Sequence, residues 1–172
     1  MPRFSDPERL ESGHVLSGFD CGVNSLNLWL ERHARAASGA GSAKTYVVTD
    51  AEQGDRVIGY HALAGASIEH SEATPRASKG MPQHQIPALL LARLAVDESA
   101  RNKGIGAFLL RDAMERTLAV SEQVGIRVLL AHALNEKARE FYLHFGFEAS
   151  PTDLMNLQII VKDIRASLEA VT

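Results

Sequence analysis

Hydrophobic residues recur along this chain with two spacings, one typical of strands and the other of helices. Runs rich in β-branched, aromatic or other apolar residues predict strands at 43–49, 56–68, 88–96, 127–133 and 157–161. Apolar residues three and four positions apart predict helices over 24–37, 104–124, 136–144 and 162–169. We expect Asn24 or Ser25 to cap the first helix, and Phe147 to open a hairpin with 157–161. The polar stretch 69–85 is predicted to be the longest loop.

The segment that joins strand 88–96 to helix 104–124 reads Arg101-Asn-Lys-Gly-Ile-Gly106. At the start of a helix, unpaired N–H groups and the positive end of the helix dipole face the same point, where a phosphate can bind. Gly104 and Gly106 lack a β-carbon, so an anion can approach the backbone and the chain can adopt positive φ. The glycine pair alone favours an ordinary tight turn, but the apolar strand before it and the amphipathic helix after it favour a phosphate site.

Composition limits the class of protein. The chain has 172 residues, 45% hydrophobic and 23% charged, which suits one globular domain spanning 1–172. No apolar run reaches the roughly 20 residues that span a bilayer, the first residues do not resemble a signal peptide, and Cys21 is the only cysteine. We therefore expect a cytoplasmic protein. No metal is expected, because the seven histidines lack metal-ligand spacing, and the net charge of −3 does not indicate a polyanionic partner.

The spacing Arg-x-x-Gly-x-Gly resembles the acyl-coenzyme A pyrophosphate signature of the GNAT acetyltransferases. A second resemblance lies in 135–147, which contains Phe-Tyr-x-x-x-Gly-Phe. The likeness implies an α+β (mixed α/β) fold, with a mostly antiparallel sheet flanked by helices, and acetyl-CoA as cofactor. It also implies that strands 88–96 and 127–133 splay apart at the centre of the sheet to admit the pantetheine. The cofactor-binding residues that it implies are Leu94, Ala95, Val96, Arg101, Asn102, Lys103, Gly104, Ile105, Gly106, Asn135 and Tyr142.

Tyr142 is the residue of this family motif that faces the thioester sulfur. A phenol suits a general acid for a departing thiolate, because its pKa lies not far above that of a thiol. Core packing beside Phe141, Phe145 and Phe147 is the alternative role for this tyrosine. Asn135 has two roles that the sequence does not separate, a cofactor contact and a helix cap.

A wider resemblance narrows the branch of the family. The opening Phe19-Asp-Cys-Gly-Val-Asn-Ser-Leu-Asn-Leu-Trp-Leu30 and the run Arg93-Leu-Ala-Val-Asp97 resemble the GNAT toxins of type II toxin–antitoxin modules. The likeness implies acetyl transfer to the α-amine of aminoacyl-tRNA, which blocks translation. It also implies a homodimer and a ribbon-helix-helix antitoxin. Two alternatives stay open: a GNAT enzyme acting on a small amine or a protein N-terminus, and an acyl-CoA-binding module without catalysis.

Residues that could contact the acceptor are less well specified. Arg93, Arg76 and Lys79 are candidate substrate contacts, since a charge inside an apolar strand needs a partner or a cleft and the other two lie in the long loop. Arg32, Arg35 and Lys44 are further basic candidates, and scattered surface charges explain the two arginines at least as well. No convincing general base emerges; His61, Glu69 and His132 are candidates only by their position on or beside strands. Cys21 and Trp29 are interpreted as structural residues.

Overall fold

The computed structural model describes the backbone of residues 3–171 and the side chains of residues 3–170. The strands in this part of the chain are β1 Glu8–Arg9, β2 Lys44–Thr49, β3 Val57–Ile68, β4 Ile86–Val96, β5 Val128–His132, β6 Glu148–Ala149 and β7 Asn156–Ile160. The α-helices are α1 Asn24–Arg32, α2 Ala34–Ala40, α3 Pro75–Ser78, α4 Ile105–Ser121, α5 Glu136–His144 and α6 Val161–Val171. The mixed α+β class is therefore confirmed.

The strands form one sheet in the order β1-β2-β3-β4-β5-β7-β6. The pairs β1–β2, β2–β3, β5–β7 and β6–β7 are antiparallel, whereas β4 and β5 are parallel. The β4–β5 register runs from Ala88 opposite Val128 to Leu91 opposite Ala131. Because β4 continues to Val96, its last part carries on beyond this ladder.

The residues group into two compact units, which we describe separately. The first contains the described residues up to Ala64 together with Ala92–Ala113, and the second contains Gly65–Leu91 and the residues from Met114 onward.

The first unit has apolar residues packed on both faces of the β2–β3 hairpin. Neighbouring residues of a strand point to opposite faces, so Val47 and Val48 belong to different clusters. The cluster on the Val47 side comprises Leu16, Phe19, Cys21, Leu30, Ala34, Val47, Val57, Tyr60 and Ala95. The cluster on the Val48 side comprises Val48, Ile58, Ala100, Ile105 and Leu109. The N-terminal segment and α1 therefore cover one face, and the first turns of α4 cover the other.

Gly59 explains how closely α4 approaches β3. A β-carbon at this position would lie 3.0 Å from Leu109 Cδ1 and 3.1 Å from Ile105 Cγ2. The β2–β3 register also shifts between Val48, which pairs with Gly59, and Thr49. A glycine here lets the start of α4 lie directly against the sheet.

The second unit is built around β5 and β7, with α3 packed beside them. Its core contains Ala73, Ala77, Ile86, Ala88, Val128, Leu130 and Ile160. Stretch 69–85 is not the loop that we expected, because it contains a one-turn helix, His70–Glu72, and α3. Thr74 anchors this stretch: its hydroxyl accepts from Ala77 N at 3.2 Å, and its N–H donates to Gln158 Oε1 at 2.9 Å.

Two other expectations were wrong near the N-terminus. The predicted helix 24–37 is two helices separated at His33, and the N-cap of α1 is Val23, with no side-chain capping bond. Strand β1 was not expected, because two residues are too few to show a period. The helix predicted at 136–144 has the bounds that α5 shows.

Candidate active site

The loop after β4 begins at a buried carboxylate. Asp97, 3% exposed, caps the one-turn helix Glu98–Ala100, and its Oδ1 accepts from Ser99 N at 3.0 Å and Ser99 Oγ at 2.7 Å. Its Oδ2 accepts from Asp20 N at 3.0 Å and from the Arg56 guanidinium at 3.1 Å. Burial acts to raise the pKa of Asp97, but these hydrogen bonds and the Arg56 charge hold that pKa below its usual value. Sequence reasoning missed Asp97, although an aspartate directly after a buried strand is a typical helix cap.

The loop then turns through two left-handed residues before α4. Gly104 has φ +78°, and Asn102 has φ +61°, the one positive φ of a non-glycine residue among residues 3–171. Asparagine tolerates this conformation better than most residues, so the turn is compatible with its sequence. We expected positive φ at Gly106 as well, but this residue lies inside the first turn of α4. A β-carbon on Gly104 would meet no atom within 4 Å, which leaves the backbone there accessible.

Helix α4 presents the amides that a phosphate needs. Its first main-chain hydrogen bond runs from Phe108 N to Gly104 O at 3.0 Å, so the N–H groups of Ile105, Gly106 and Ala107 precede the helical ladder. They lie at the positive end of a 17-residue helix, directly after the two left-handed residues. Such consecutive amides form an anion-binding concavity. The residues present therefore fit the pyrophosphate of acetyl-CoA.

The two basic side chains of the loop differ in their contacts. Arg101 Nη2 donates to Cys21 O at 2.7 Å and lies 3.7 Å from Glu98 Oε1. Lys103 is exposed, and its Nζ lies 5.7 Å from the centroid of the Phe4 ring. The guanidinium of Arg101 is therefore occupied with the N-terminal segment, whereas the ammonium of Lys103 faces solvent.

Before this loop, the last residues of β4 alternate between the two clusters of the first unit. Ala95 belongs to the cluster on the Val47 side, whereas Leu94 and Val96 pack against the cluster on the Val48 side. Side chains on both faces of this strand end are therefore held by packing. Its contacts to acetyl-CoA stay a prediction.

Tyr142 lies on α5 with its ring enclosed by other aromatic rings. The residue is 7% exposed, and its ring centroid lies 5.3 Å from that of Phe147 and 5.4 Å from that of Phe141. Burial raises the pKa of Tyr142 to about 12. In the described part of the chain its hydroxyl has no hydrogen-bond partner. The phenol therefore keeps its proton at neutral pH and can donate it to an external group.

Asn135 is the N-cap of α5. Its Oδ1 accepts from Ala138 N at 2.9 Å, which gives this side chain the capping role that we considered. A cofactor contact stays a prediction for the same residue.

Replacing Asn135 by alanine is expected to lower the free energy of unfolding by about 1 kcal/mol, because an N–H of the first turn loses its acceptor. Asn135→Ser should retain most of that stability. Urea unfolding of both variants measures the effect, and equal stability of the alanine variant and the unmodified chain would contradict the capping role.

Arg93 and Arg76 have different surroundings. Arg93 is half-buried, with its Cζ 4.1 Å from the Trp29 ring centroid, and none of the described acidic residues forms an ion pair with it. Arg76 instead contacts Asp163 at 2.6 and 2.8 Å and Glu148 at 3.0 Å. These bonds raise the pKa of Arg76 further above its already high value. Lys79 follows α3 and is exposed.

The candidate bases also differ. His61 is fully buried, with Nε2 2.7 Å from Asp112 Oδ2 and its ring stacked on Tyr46 at 5.1 Å. His132 is exposed at the end of β5, and Glu69 accepts from Gln85 Nε2 at 2.9 Å. His61 has a structural role, because it is buried and paired with Asp112. None of the three candidate residues is therefore favoured as the general base. Among the described residues, no group of histidine, cysteine, aspartate or glutamate could hold a metal ion.

A strand, a left-handed turn and the free amides of a helix together form a site that suits a phosphate group. Comparison with known proteins identifies the family: its "Acetyltransferase (GNAT) domain" model matches residues 42–149. The chain therefore belongs to the GNAT acetyltransferases, which confirms the family and fold expected from the motifs.

Two relatives resemble the chain over almost its whole length, and two solved structures represent the second of them. The tRNA-acetylating toxin of Mycobacterium tuberculosis is 39% identical over 166 residues, which are 96% of this chain and 98% of the relative. AtaT, solved in complex with acetyl-methionyl-tRNAfMet, is 31% identical with a TM-score of 0.88, over 96% of this chain and 99% of that one. A tyrosine-to-phenylalanine mutant of the AtaT toxin, bound to the C-terminus of the antitoxin AtaR and acetyl-CoA, is 29% identical with a TM-score of 0.82, over 97% and 99%.

Within residues 3–171, no helix has both the length and the apolar character that a membrane crossing requires.

Proposed function

We propose that this chain is an N-acetyltransferase that moves acetyl from acetyl-CoA to the α-amine of aminoacyl-tRNA and acts as the toxin of a toxin–antitoxin module. The observation that carries the proposal is its 39% identity, end to end, with a tRNA-acetylating toxin. The free amides ahead of α4 and the protonated phenol of Tyr142 support it, because they are the groups that the reaction needs.

The loop residues bind and orient the cofactor in this proposal. The backbone of residues 102–106 holds the pyrophosphate, and Lys103 adds a positive charge. Residues 94–96 offer main-chain groups to the pantetheine in the manner of an added strand. Acetyl-CoA itself supplies an acetyl group activated as a thioester.

Tyr142 handles the proton of the leaving group. The acceptor nitrogen forms a bond to the thioester carbonyl carbon, and the carbon–sulfur bond breaks. The Tyr142 hydroxyl donates its proton to the departing sulfur, and the nitrogen loses a proton to water. Solvent then returns a proton to the Tyr142 phenolate. A strong base is less necessary here, since the amine of an aminoacyl ester is less basic than a lysine side chain.

Arg93 is the candidate contact for the negative acceptor. The net charge of −3 means that attraction to tRNA must come from local basic residues. Arg93 lies on the Trp29 ring without an acidic partner among the described residues, so its guanidinium donors can reach a phosphate. The contacts of Arg76 with Asp163 and Glu148 instead tie together α3, β6 and α6.

Partners and location complete the proposal. On the basis of the resemblance to the toxins, we also propose a homodimer, a ribbon-helix-helix antitoxin and a cytoplasmic site of action. The relative AtaT in complex with its antitoxin supports the pairing with an antitoxin.

The test is acetyl transfer from labelled acetyl-CoA to a total pool of charged tRNA, with uncharged tRNA as control. We expect label on the aminoacyl end, released as N-acetyl-amino acid by mild base. Label on small amines or protein N-termini, with none on charged tRNA, would contradict the proposal. It would support the alternative enzyme that acts on a small amine or a protein N-terminus, which the acidic net charge favours. Binding of acetyl-CoA without transfer to any of these acceptors would indicate a non-catalytic module.

A further inference from the structure

The N-terminal motif Phe19-Asp-Cys-Gly22 lies against residues 97–104, the loop between β4 and α4 that we call the phosphate loop. The motif contacts this loop through its main chain. Asp20 N donates to Asp97 Oδ2 at 3.0 Å, and Glu98 N donates to Asp20 O at 2.8 Å. These two bonds clamp the motif to the start of the loop. The motif and the loop both belong to the first unit.

A third bond attaches the motif to the first residue of the glycine signature. Arg101 Nη2 donates to Cys21 O at 2.7 Å, and Glu98 Oε1 lies 3.7 Å from the same nitrogen. The Cys21 main chain is itself fixed, because its N–H donates to Asn27 Oδ1 at 2.9 Å. Arg101 thus connects the left-handed turn at Asn102 to the main chain of Cys21, which is itself hydrogen-bonded to Asn27.

Gly22 lies next to the side chains of Glu98 and Arg101. It has φ +87°, and a β-carbon there would lie 2.8 Å from Glu98 Oε1 and 3.0 Å from Arg101 Nη2. Both atoms are ends of flexible side chains, so an added methyl group would displace them and leave the backbone in place. The hydrogen bond from Arg101 to Cys21 O would be lost as a consequence.

We propose that Gly22 is a positioning residue for the coenzyme A phosphates, because it leaves room for Arg101 and Glu98 to hold the phosphate loop against the N-terminal motif. The proposal rests on the proposed function only in that the loop binds these phosphates. Gly22 touches neither cofactor nor acceptor; it acts through Arg101, which keeps the turn at Asn102 and the amides ahead of α4 in their binding arrangement.

Gly18 provides a matched control. It also has a left-handed backbone, with φ +82°, but a β-carbon there would meet nothing within 4 Å. Gly22→Ala and Gly18→Ala therefore carry the same backbone penalty, and only the first disturbs Arg101.

The experiment measures the Kd for coenzyme A by calorimetry on the full chain, with thermal unfolding of each variant alongside. We expect Gly22→Ala to raise the Kd about tenfold, since small misplacements of binding groups have large effects. Gly18→Ala should leave the Kd within about twofold of the unmodified chain, while both variants lose similar thermal stability.

A double-mutant cycle with Arg101→Met separates positioning from a general loss of structure. If Gly22 acts through Arg101, adding Gly22→Ala to the Arg101→Met chain should change the Kd by less than about twofold, because coupled residues are not additive. Equal Kd changes in the two glycine variants, or additivity in the cycle, would overturn the proposal.

The readout is independent of the acceptor. A chain that binds coenzyme A but does not acetylate charged tRNA refutes the proposed function and leaves the role of Gly22 to be decided by the Kd values. A chain that binds no coenzyme A refutes both.

Discussion

Replacement of Tyr142 by phenylalanine is expected to lower kcat for acetyl transfer by about 100- to 1,000-fold, the usual contribution of a positioned general acid. The Kd for acetyl-CoA should stay within about twofold, since the ring that fills the site is retained. Phe141 and Phe147 keep their ring contacts, and no described residue bonds the hydroxyl. The variant should therefore unfold at nearly the same temperature as the unmodified chain.

The raised pKa of Tyr142 also predicts how kcat depends on pH. With its pKa at about 12, the phenol is protonated throughout the neutral and mildly basic range. Loss of this acid would produce a falling limb of kcat only near pH 12, whereas deprotonation of the acceptor amine raises the rate with pH. We expect kcat to rise from acid to neutral pH and then to form a plateau to at least about pH 10.

Single-turnover acetyl transfer at saturating acetyl-CoA measures both effects. Tyr46→Phe, the same change at a tyrosine of β2, serves as the control for a general effect of losing a hydroxyl. A Tyr142→Phe chain that keeps more than about a fifth of the rate would assign proton delivery to water instead.

The parts of the fold that the sequence predicts well are those with local chemical signals. Asn135 caps α5, one of the two roles that the sequence allowed, and this signal is local because it depends only on neighbouring residues. The glycine loop is similar: its strand, turn and helix occupy consecutive residues. The positive φ at Asn102 could not be assigned, since Gly104 and Gly106 have the stronger intrinsic preference.

The errors lie where distant residues decide the structure. Stretch 69–85 reads as a polar loop, yet Thr74 bonds with Gln158 across 84 positions of the chain, and this contact stabilises a local helix. Helix 24–37 breaks at His33 although its apolar spacing continues. Arg76 has the charge of a substrate contact in sequence, but its pairing with Asp163 and Glu148 depends on how the second unit folds.

The residues of the candidate site also divide into those with local sequence signals and those whose role depends on distant residues. The phosphate loop and Tyr142 could be predicted because their motifs are short and continuous. The role of Asp97 was missed, because some of its four hydrogen bonds come from Asp20 and Arg56, which are distant in the sequence. Its role is nevertheless the one that acid unfolding tests most directly.

Asp97→Asn is expected to lower the free energy of unfolding at pH 7 by about 3 kcal/mol, the scale for breaking a buried ion pair with its hydrogen bonds. The Asp97 carboxylate accepts four hydrogen bonds in total, from Asp20 N, Ser99 N and Oγ, and Arg56. An amide of the same shape offers one oxygen in place of two, and its NH₂ group would face hydrogen-bond donors. Arg56 would also lose its carboxylate.

The pH dependence of this loss has a definite sign. The pKa of Asp97 is lower in the folded chain than its ordinary value, which is about 3.9 in an unfolded chain. The carboxylate therefore contributes its full stability above that value and loses the contribution as the pH falls through the lower, folded pKa. The difference between the unmodified chain and Asp97→Asn should be constant from pH 7 to about pH 5 and shrink below about pH 4.

Urea unfolding of the two proteins at pH 7, 5 and 3 measures this difference directly. Other carboxylates with lowered pKa values, such as Asp163 beside Arg76, titrate in both proteins and cancel in the comparison. A stability difference that stays the same at pH 3 as at pH 7 would mean that the shape of Asp97 matters and its charge does not. A difference that shrinks on acidification assigns the stabilisation to the ionised carboxylate, and through it to the start of the phosphate loop.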